Sequence, residues 1–225
     1  MKRKTMHKFS TVIFDMDGVI TNTMPYHFEA WQRIFSALGI KVNRCDIYKR
    51  EGQDGLTSVK EILRQYNHKF SVTEAREILA AKERLFKKIV RIRFVKGSRS
   101  FVRALKRRGF RLALVTGTSR QEAEKILPFS LLRLFDATVT GDEVKYGKPH
   151  PEPFLKALKM LGVVSGEALV IENAPFGITA AKRAGLFCVA LETSLPGSYL
   201  KDSDRAFKTF KDLERAICFS RKKEV

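Results

Sequence analysis

The sequence predicts an α/β protein: a parallel sheet with helices on both faces, and an extra block of helices inserted after the first strand. Three observations predict it. Short apolar runs recur that are continuous rather than alternating, as strands buried on both faces read. Helical patterns lie between those runs, so the strands are joined by crossovers in a Rossmann-like arrangement. One interval breaks the alternation: between Asp15 and Gly97 the pattern is helical and no strand is evident.

The elements follow in order. The first strand runs from Thr11 to Asp15. Pro25 to Leu38, Thr57 to Tyr66 and Thr73 to Ile92 read as three helices, the last opened by Thr73 as a cap. Linkers near Asn22 to Pro25 and Arg93 to Gly97 divide the chain into a core of residues 1–23 and 95–225 and a helical domain of residues 24–94. Ser98 to Arg108 is a helix with Phe101, Val102 and Leu105 on one face and Gly109 past its end. Strands follow at Arg111 to Thr116, Ala137 to Thr140, Ala168 to Glu172 and Phe187 to Leu191. Between them lie helices at Pro151 to Leu161, with prolines in its first turn and Gly162 at its end, and at Pro175 to Ala184, closed by Gly185. There is no internal repeat and no low-complexity segment.

Composition narrows the function classes. An apolar content of 44% with 17 Phe over 225 residues fits a soluble globular protein, and no apolar run approaches the length of a membrane span. The N-terminus, Met1-Lys2-Arg3-Lys4, is basic, but Asp15 and Asp17 interrupt the apolar stretch after it, unlike a secretory signal. The three cysteines, Cys45, Cys188 and Cys218, are scattered and odd in number, so a disulfide framework is not expected and a reducing cytoplasm is. No interface stripe is evident, and a monomer is expected. The net charge of +19 attracts anions. Nucleic acid is one class of anion and a phosphorylated metabolite another. The basic residues sit at the termini and in helical segments such as Lys106-Arg107-Arg108, with no aromatic residues interleaved as a base-stacking platform needs. Solvated basic faces are therefore expected rather than a nucleic-acid site.

The candidate chemistry lies at the predicted strand ends, where open α/β sheets bind ligands. Phe14-Asp15-Met16-Asp17-Gly18-Val19 places two acids two residues apart at the first strand's end. Two such acids repel unless a cation or a shared proton relieves them. The plain alternative is an Asp-Gly turn with solvated acids. Arg111 to Val115 leads into Thr116-Gly117-Thr118-Ser119, suited to holding an anion or, more plainly, to capping a helix. Tyr146-Gly147-Lys148-Pro149 offers a lysine held stiffly before a proline. Leu169 to Ile171 ends in Glu172-Asn173-Ala174-Pro175-Phe176-Gly177, a further acid at a strand end.

Acid pair, hydroxyl, lysine and acid, in that order and each at a strand end, resemble the four signature motifs of the haloacid dehalogenase superfamily. The helical insertion resembles that family's small α-helical cap. The stretches Phe14 to Trp31 and Glu172 to Ala181 are similar to its β-phosphoglucomutase and sugar-phosphate phosphatase branch. The resemblance implies a Mg²⁺-dependent phosphatase acting on a small phosphorylated metabolite such as a sugar phosphate. Asp15 would be the nucleophile, Asp17 the general acid and base, Thr116 and the Gly117 amide the phosphoryl holders with Thr118 beside them, and Lys148 the charge balance. Asp15, the Asp17 carbonyl and Glu172 would ligate Mg²⁺, joined by Asn173. Many relatives carry Asp at that last position, so weaker metal affinity is expected here. His27, four residues before Trp31 on one helix face, would sit near the general acid, and Lys82 would reach the substrate from an otherwise apolar helix stripe, or snorkel out of it.

One departure bears on the reaction. β-Phosphoglucomutases grip the distal phosphate with a cap arginine three residues after a glycine; here Gly52 is followed at that place by Gly55. Without the fork a bound bisphosphate loses its bidentate partner. Hydrolysis is therefore expected over phosphoryl return. A β-phosphoglucomutase is the alternative, and a silent anion- or nucleic-acid-binding protein a more distant one.

Overall fold

The computed structural model describes residues 9–217; the basic Met1-Lys4 stretch and Cys218 lie outside the described residues. The chain runs β1 (Thr11–Phe14), then α1 (Met24–Ser36), α2 (Arg44–Tyr48), α3 (Gly55–Gln65) and α4 (Val72–Ile89). There follow α5 (Ser98–Arg107), β2 (Arg111–Val115), α6 (Arg120–Ile126), α7 (Phe129–Leu132) and β3 (Ala137–Val139). Last come α8 (Glu152–Leu161), β4 (Ala168–Glu172), α9 (Pro175–Arg183), β5 (Phe187–Leu191), β6 (Arg205–Phe207) and α10 (Phe210–Ala216).

The six strands form one parallel sheet in the order β3-β2-β1-β4-β5-β6, the doubly wound order of a Rossmann fold. Their continuous apolar character has a plain cause. Val12 and Phe14 belong to one hydrophobic cluster, with Phe101, Leu105 and Leu213, while Ile13 belongs to the other, with Phe154 and Ile178. Both faces are buried, so apolar residues fill both. Phe14 meets Phe101 and Phe135 edge-on, at centroid distances of 6.2 and 6.0 Å. The direction of the sheet order reverses between β1 and β4, and a crevice at such a reversal, beyond the carboxyl ends of the strands, is where ligands lodge.

The four helices between β1 and α5 pack on one another, chiefly α1 and α3 against α4. Among the described residues no helix is long and apolar enough to cross a membrane. Several elements differ from the expectation. The strand β6 was not expected: it is a three-residue edge strand beginning with an exposed arginine, too short for a pattern. The short helices α2, α7 and α10 were also missed, whereas α6 opens after Thr116-Gly117-Thr118-Ser119 as expected. α4 is capped by Ser71, whose hydroxyl accepts from the Glu74 amide at 3.1 Å, and not by Thr73; α3 starts at Gly55, with the Asp54 carboxylate accepting from the Thr57 amide at 2.7 Å.

Asp46 ties the inserted helices together. It accepts from the Asn43 amide at 2.9 Å, closing a capping box, from Gln65 Nε2 at 2.7 Å and from the Tyr66 hydroxyl at 2.7 Å. Burial opposes its charge, but these bonds and Lys49 outweigh burial and hold its pKa below the ordinary carboxylate value. A depressed folded pKa adds stability above the unfolded pKa and loses it as pH falls through the folded one. Asp46→Asn is therefore expected to unfold at lower urea than the parent at pH 7, by about 1–3 kcal/mol, with the gap closing as the medium is acidified through the carboxyl's titration.

Candidate active site

Five segments converge on the crevice. The Asp15 amide continues the ladder past β1 by donating to the Ile171 carbonyl at 3.0 Å, and the Thr116 amide does the same past β2, donating to Val139 at 3.0 Å. The chain then turns sharply: the amides of Ile20 and Thr21 both donate to the Met16 carbonyl at 2.9 Å. Gly18 sits in this turn with φ of 91°, and a Cβ on it would lie 2.1 Å from Asn173 Nδ2, so both conformation and space require glycine. Asp15, Asp17, Thr116, Lys148, Glu172 and Asn173 are all buried.

Lys148 is the hub. Its ammonium lies 2.7 Å from Asp15 Oδ1, 2.7 Å from Glu172 Oε1 and 3.2 Å from the Val115 carbonyl, with all three charged side chains 1% exposed. The other Glu172 oxygen accepts from the amides of Asn173 at 2.9 Å and Ala174 at 3.4 Å. Among the described residues two buried side-chain oxygens remain without any hydrogen-bond partner: Asp15 Oδ2 and Asn173 Oδ1. Burial raises the Asp15 pKa to about 8; Lys148 opposes this, while Glu172 and Asp17 add to it. Burial also works against the charge of Lys148, but Asp15 and Glu172 outweigh it and raise its pKa above the ordinary lysine value. Two buried acids thus share one ammonium, with the charge of Asp17 nearby, and the cluster is short of positive charge.

The residues fit a hard divalent cation. Orphaned carboxylate and amide oxygens are the donors such an ion takes, and its charge would relieve the acids. Among the described residues there is no ready cage of three or more His, Cys, Asp or Glu side chains; the fit is to a site of one carboxylate, one amide oxygen and backbone. Glu172, expected as a ligand, is engaged by Lys148 and two amides, and the unpartnered oxygen beside it belongs to Asn173.

Asp17 lies in the opposite environment. The Thr23 hydroxyl donates to its Oδ1, the Thr21 hydroxyl reaches the same oxygen at 3.4 Å, and the Thr118 hydroxyl donates to Oδ2 at 3.2 Å. His27 Nε2 stands 3.6 Å from Oδ1, beyond a hydrogen bond but close enough to act through charge and dipole. Burial pushes the Asp17 pKa up, but His27, Thr23 and Thr118 outweigh it and bring it below the ordinary value. The His27 pKa is lowered, first by burial and then by Lys82, so the ring is neutral at neutral pH. Lys82 Nζ lies 3.1 Å from His27 Nδ1. An ammonium only donates, so Nδ1 accepts and the hydrogen sits on Nε2, toward Asp17.

The inserted helices close the other side. Lys82 is buried on its helix, and its ammonium stands 5.1 Å from the ring centres of both Trp31 and Phe86. It therefore faces a polar cleft and does not snorkel out. His27 stacks on Phe86 at 4.0 Å. The loop after α2 lies against the core: a Cβ on Gly52 would meet Lys148 Cδ at 2.4 Å, and one on Gly117 would meet Gly52 Cα at 2.9 Å. Between the two halves is a cavity of about 400 Å³ lined by His27, Gly52, Lys82, Gly117, Thr118 and Lys148, among others.

Every residue expected at the site is thus in this region. Ser119 holds the N-cap position of α6 but makes no side-chain cap bond, and the Thr118 hydroxyl is spent on Asp17, so the plain capping reading of that stretch does not hold. Thr21, Thr23 and Ser194, which accepts from Asn173 Nδ2 at 2.9 Å, were not anticipated. Thr23 carried a signal: a hydroxyl at the N-cap of α1 that makes no cap bond because Asp17 takes it. Replacing Lys148 by Met leaves two buried acids without a counterion. The expected loss is about 3–5 kcal/mol of stability, measured by urea denaturation.

Residues 9–185 match the haloacid dehalogenase-like hydrolase family. The chain is 36% identical, over 78% of its own length and 81% of the relative's, to a phosphorylated carbohydrates phosphatase of Thermotoga maritima. It is 33% identical, over 82% and 84%, to the β-phosphoglucomutase of Bacillus subtilis. The solved β-phosphoglucomutase of Clostridium difficile superposes with a TM-score of 0.78 at 26% identity, covering 92% of this chain and 96% of that one. The chain belongs to the haloacid dehalogenase-like hydrolases.

Proposed function

We propose that the protein hydrolyses the phosphate ester of a small phosphorylated carbohydrate, with Mg²⁺ bound beside Asp15. The observation that carries this reading is the Asp15 carboxylate, unpartnered at one oxygen and fixed by the other on Lys148, which lines a cavity of about 400 Å³. The similarity to a phosphatase of phosphorylated carbohydrates supports the substrate class.

Asp15 attacks phosphorus and forms an aspartyl-phosphate while the bond to the sugar oxygen breaks. Thr116 and the Gly117 amide hold the phosphoryl oxygens, and Lys148 balances the charge between Asp15 and the phosphate. Asp15, Asn173 and the Asp17 carbonyl would hold the cation, with Glu172 steadying Lys148 at its edge. When bound, the ion keeps Asp15 ionised and neutralises charge on the transferring group. Asp17 gives a proton to the departing oxygen, then takes one from the water that hydrolyses the aspartyl-phosphate. A phosphate dianion beside Asp17 raises its low proton affinity toward the value this exchange needs. His27, oriented by Lys82, positions the Asp17 carboxyl.

Residues 24–94 act as a cap over the core of residues 1–23 and 95–225, carrying His27, Gly52 and Lys82 to the site and controlling water entry. Hydrolysis is favoured over the mutase reaction because Gly55 stands where the mutases carry their arginine. It packs toward Leu79, and the neighbouring Arg50 is consumed by Glu61, Gln65 and the Asp46 carbonyl. The free cysteines Cys45 and Cys188 accord with a cytoplasmic setting.

Asp15→Asn is expected to abolish turnover of an aryl phosphate, and chelation with EDTA to remove it from the parent, restored by added Mg²⁺. Free phosphate should accumulate from hexose phosphates; conversion of β-glucose 1-phosphate to the 6-phosphate without phosphate release would contradict the hydrolytic reading. Gly117→Ala places a methyl against Gly52 and is expected to lower kcat/KM at least about tenfold by holding the cap off the core, as steady-state kinetics would register.

A further inference from the structure

We infer that Glu51 selects the leaving group: its carboxyl meets the hydroxyls of an uncharged polyol and refuses a substrate that carries a second phosphate. The inference rests on the phosphatase reading above and specifies its substrate. Glu51 immediately precedes Gly52, the residue that packs on the stem of Lys148 and against Gly117. The contact that seats the loop on the core therefore also fixes Glu51, which lines the same cavity as Thr116, Lys148 and Lys82. It is half-buried, and among the described residues no hydrogen bond or ion pair engages its carboxyl.

The electrostatic setting agrees. Burial, then Asp17 and Asp15, hold the Glu51 carboxyl well above the ordinary carboxylate range, against the pull of Lys82 and Lys148. A cleft that already resists this negative charge resists a further anion next to it. The chain carries +19 overall, yet the cavity is lined by as many acidic as basic side chains. Its cations are also spoken for. Arg50 is tied to Glu61 and Gln65, Lys87 to Glu122 at 2.8 Å, Lys148 to Asp15 and Glu172, and Lys82 to His27. Lys145 lies by the Tyr146 ring at 5.0 Å. A distal phosphate would find no free guanidinium fork, whereas adjacent sugar hydroxyls would find a carboxyl able to take two hydrogen bonds.

The test compares kcat/KM for fructose 6-phosphate and fructose 1,6-bisphosphate with Mg²⁺ in the parent, Glu51→Gln, Glu51→Arg and Glu51→Asp. The ratio between two substrates in one preparation is unaffected by the fraction folded. The parent is expected to prefer the monophosphate. Glu51→Gln should shrink that preference about tenfold, Glu51→Arg should shrink it further or reverse it, and Glu51→Asp should retain it. An unchanged ratio in Glu51→Gln and Glu51→Arg, while the parent turns over hexose phosphates, overturns the inference alone. A parent that releases phosphate from neither sugar nor from an aryl phosphate overturns the phosphatase reading and the inference with it.

Discussion

A single buried ammonium holds three distant parts of the chain together. Lys148 comes from the loop before α8, Asp15 from the end of β1 and Glu172 from the end of β4, and the two carboxylates each stand 2.7 Å from Nζ. Burying three charges costs several kcal/mol per ion unless geometry and hydrogen bonds repay it. Here the repayment is partial. Glu172 is fully satisfied, by Lys148 and two backbone amides, while Asp15 keeps one bare oxygen. That imbalance is the source of the site's chemistry: a carboxylate locked in direction, poor in counter-charge and bare at its second oxygen.

The same lysine joins the site to the inserted helices. Its aliphatic stem is the surface on which Gly52 rests, so the geometry of the charge cluster and the seating of the cap depend on one side chain. Across the cavity a second lysine plays a matching part. Lys82, held over Trp31 and Phe86, fixes the tautomer of His27 and so turns an N–H toward Asp17. The two aspartates are therefore governed from opposite sides, Asp15 by the core lysine and Asp17 by threonine hydroxyls and the histidine of the insertion. Their proton affinities move apart in consequence, Asp15 up and Asp17 down, and the cation and the phosphate each bring one of them back toward its role.

Much of this was legible in the residues. Asp15, Asp17, Thr116 and Glu172 each follow an apolar run, and a parallel sheet brings the ends of such runs to one edge, so their convergence follows from the pattern; Lys148, expected at a strand end too, instead lies in the loop well past β3 and reaches the site by its long side chain. Lys82 was visible as a charge on an apolar helical stripe. What the sequence did not reveal depends on packing between segments far apart. Edge strand β6 is three residues long and starts with Arg205, which carries no alternation or apolar run. Thr23 looks like an ordinary helix cap until Asp17 is seen to take its hydroxyl. The division of labour between Glu172 and Asn173 turns on which oxygen the lysine reaches, and adjacent residues at a strand end give no hint of that. Glu51 is one acid among 24 until the seam at Gly52 places it on the wall of the cavity.

The central claim is that the bare oxygens of Asp15 and Asn173 mark the seat of a divalent ion that completes a cluster built around Lys148. Calorimetric titration of Mg²⁺ into the parent, Asp15→Asn and Asn173→Ala tests it most directly. The account predicts one ion bound per chain, with binding lost in the first variant and weakened about tenfold or more in the second. Absence of binding in the parent, or equal affinity in all three proteins, would contradict it.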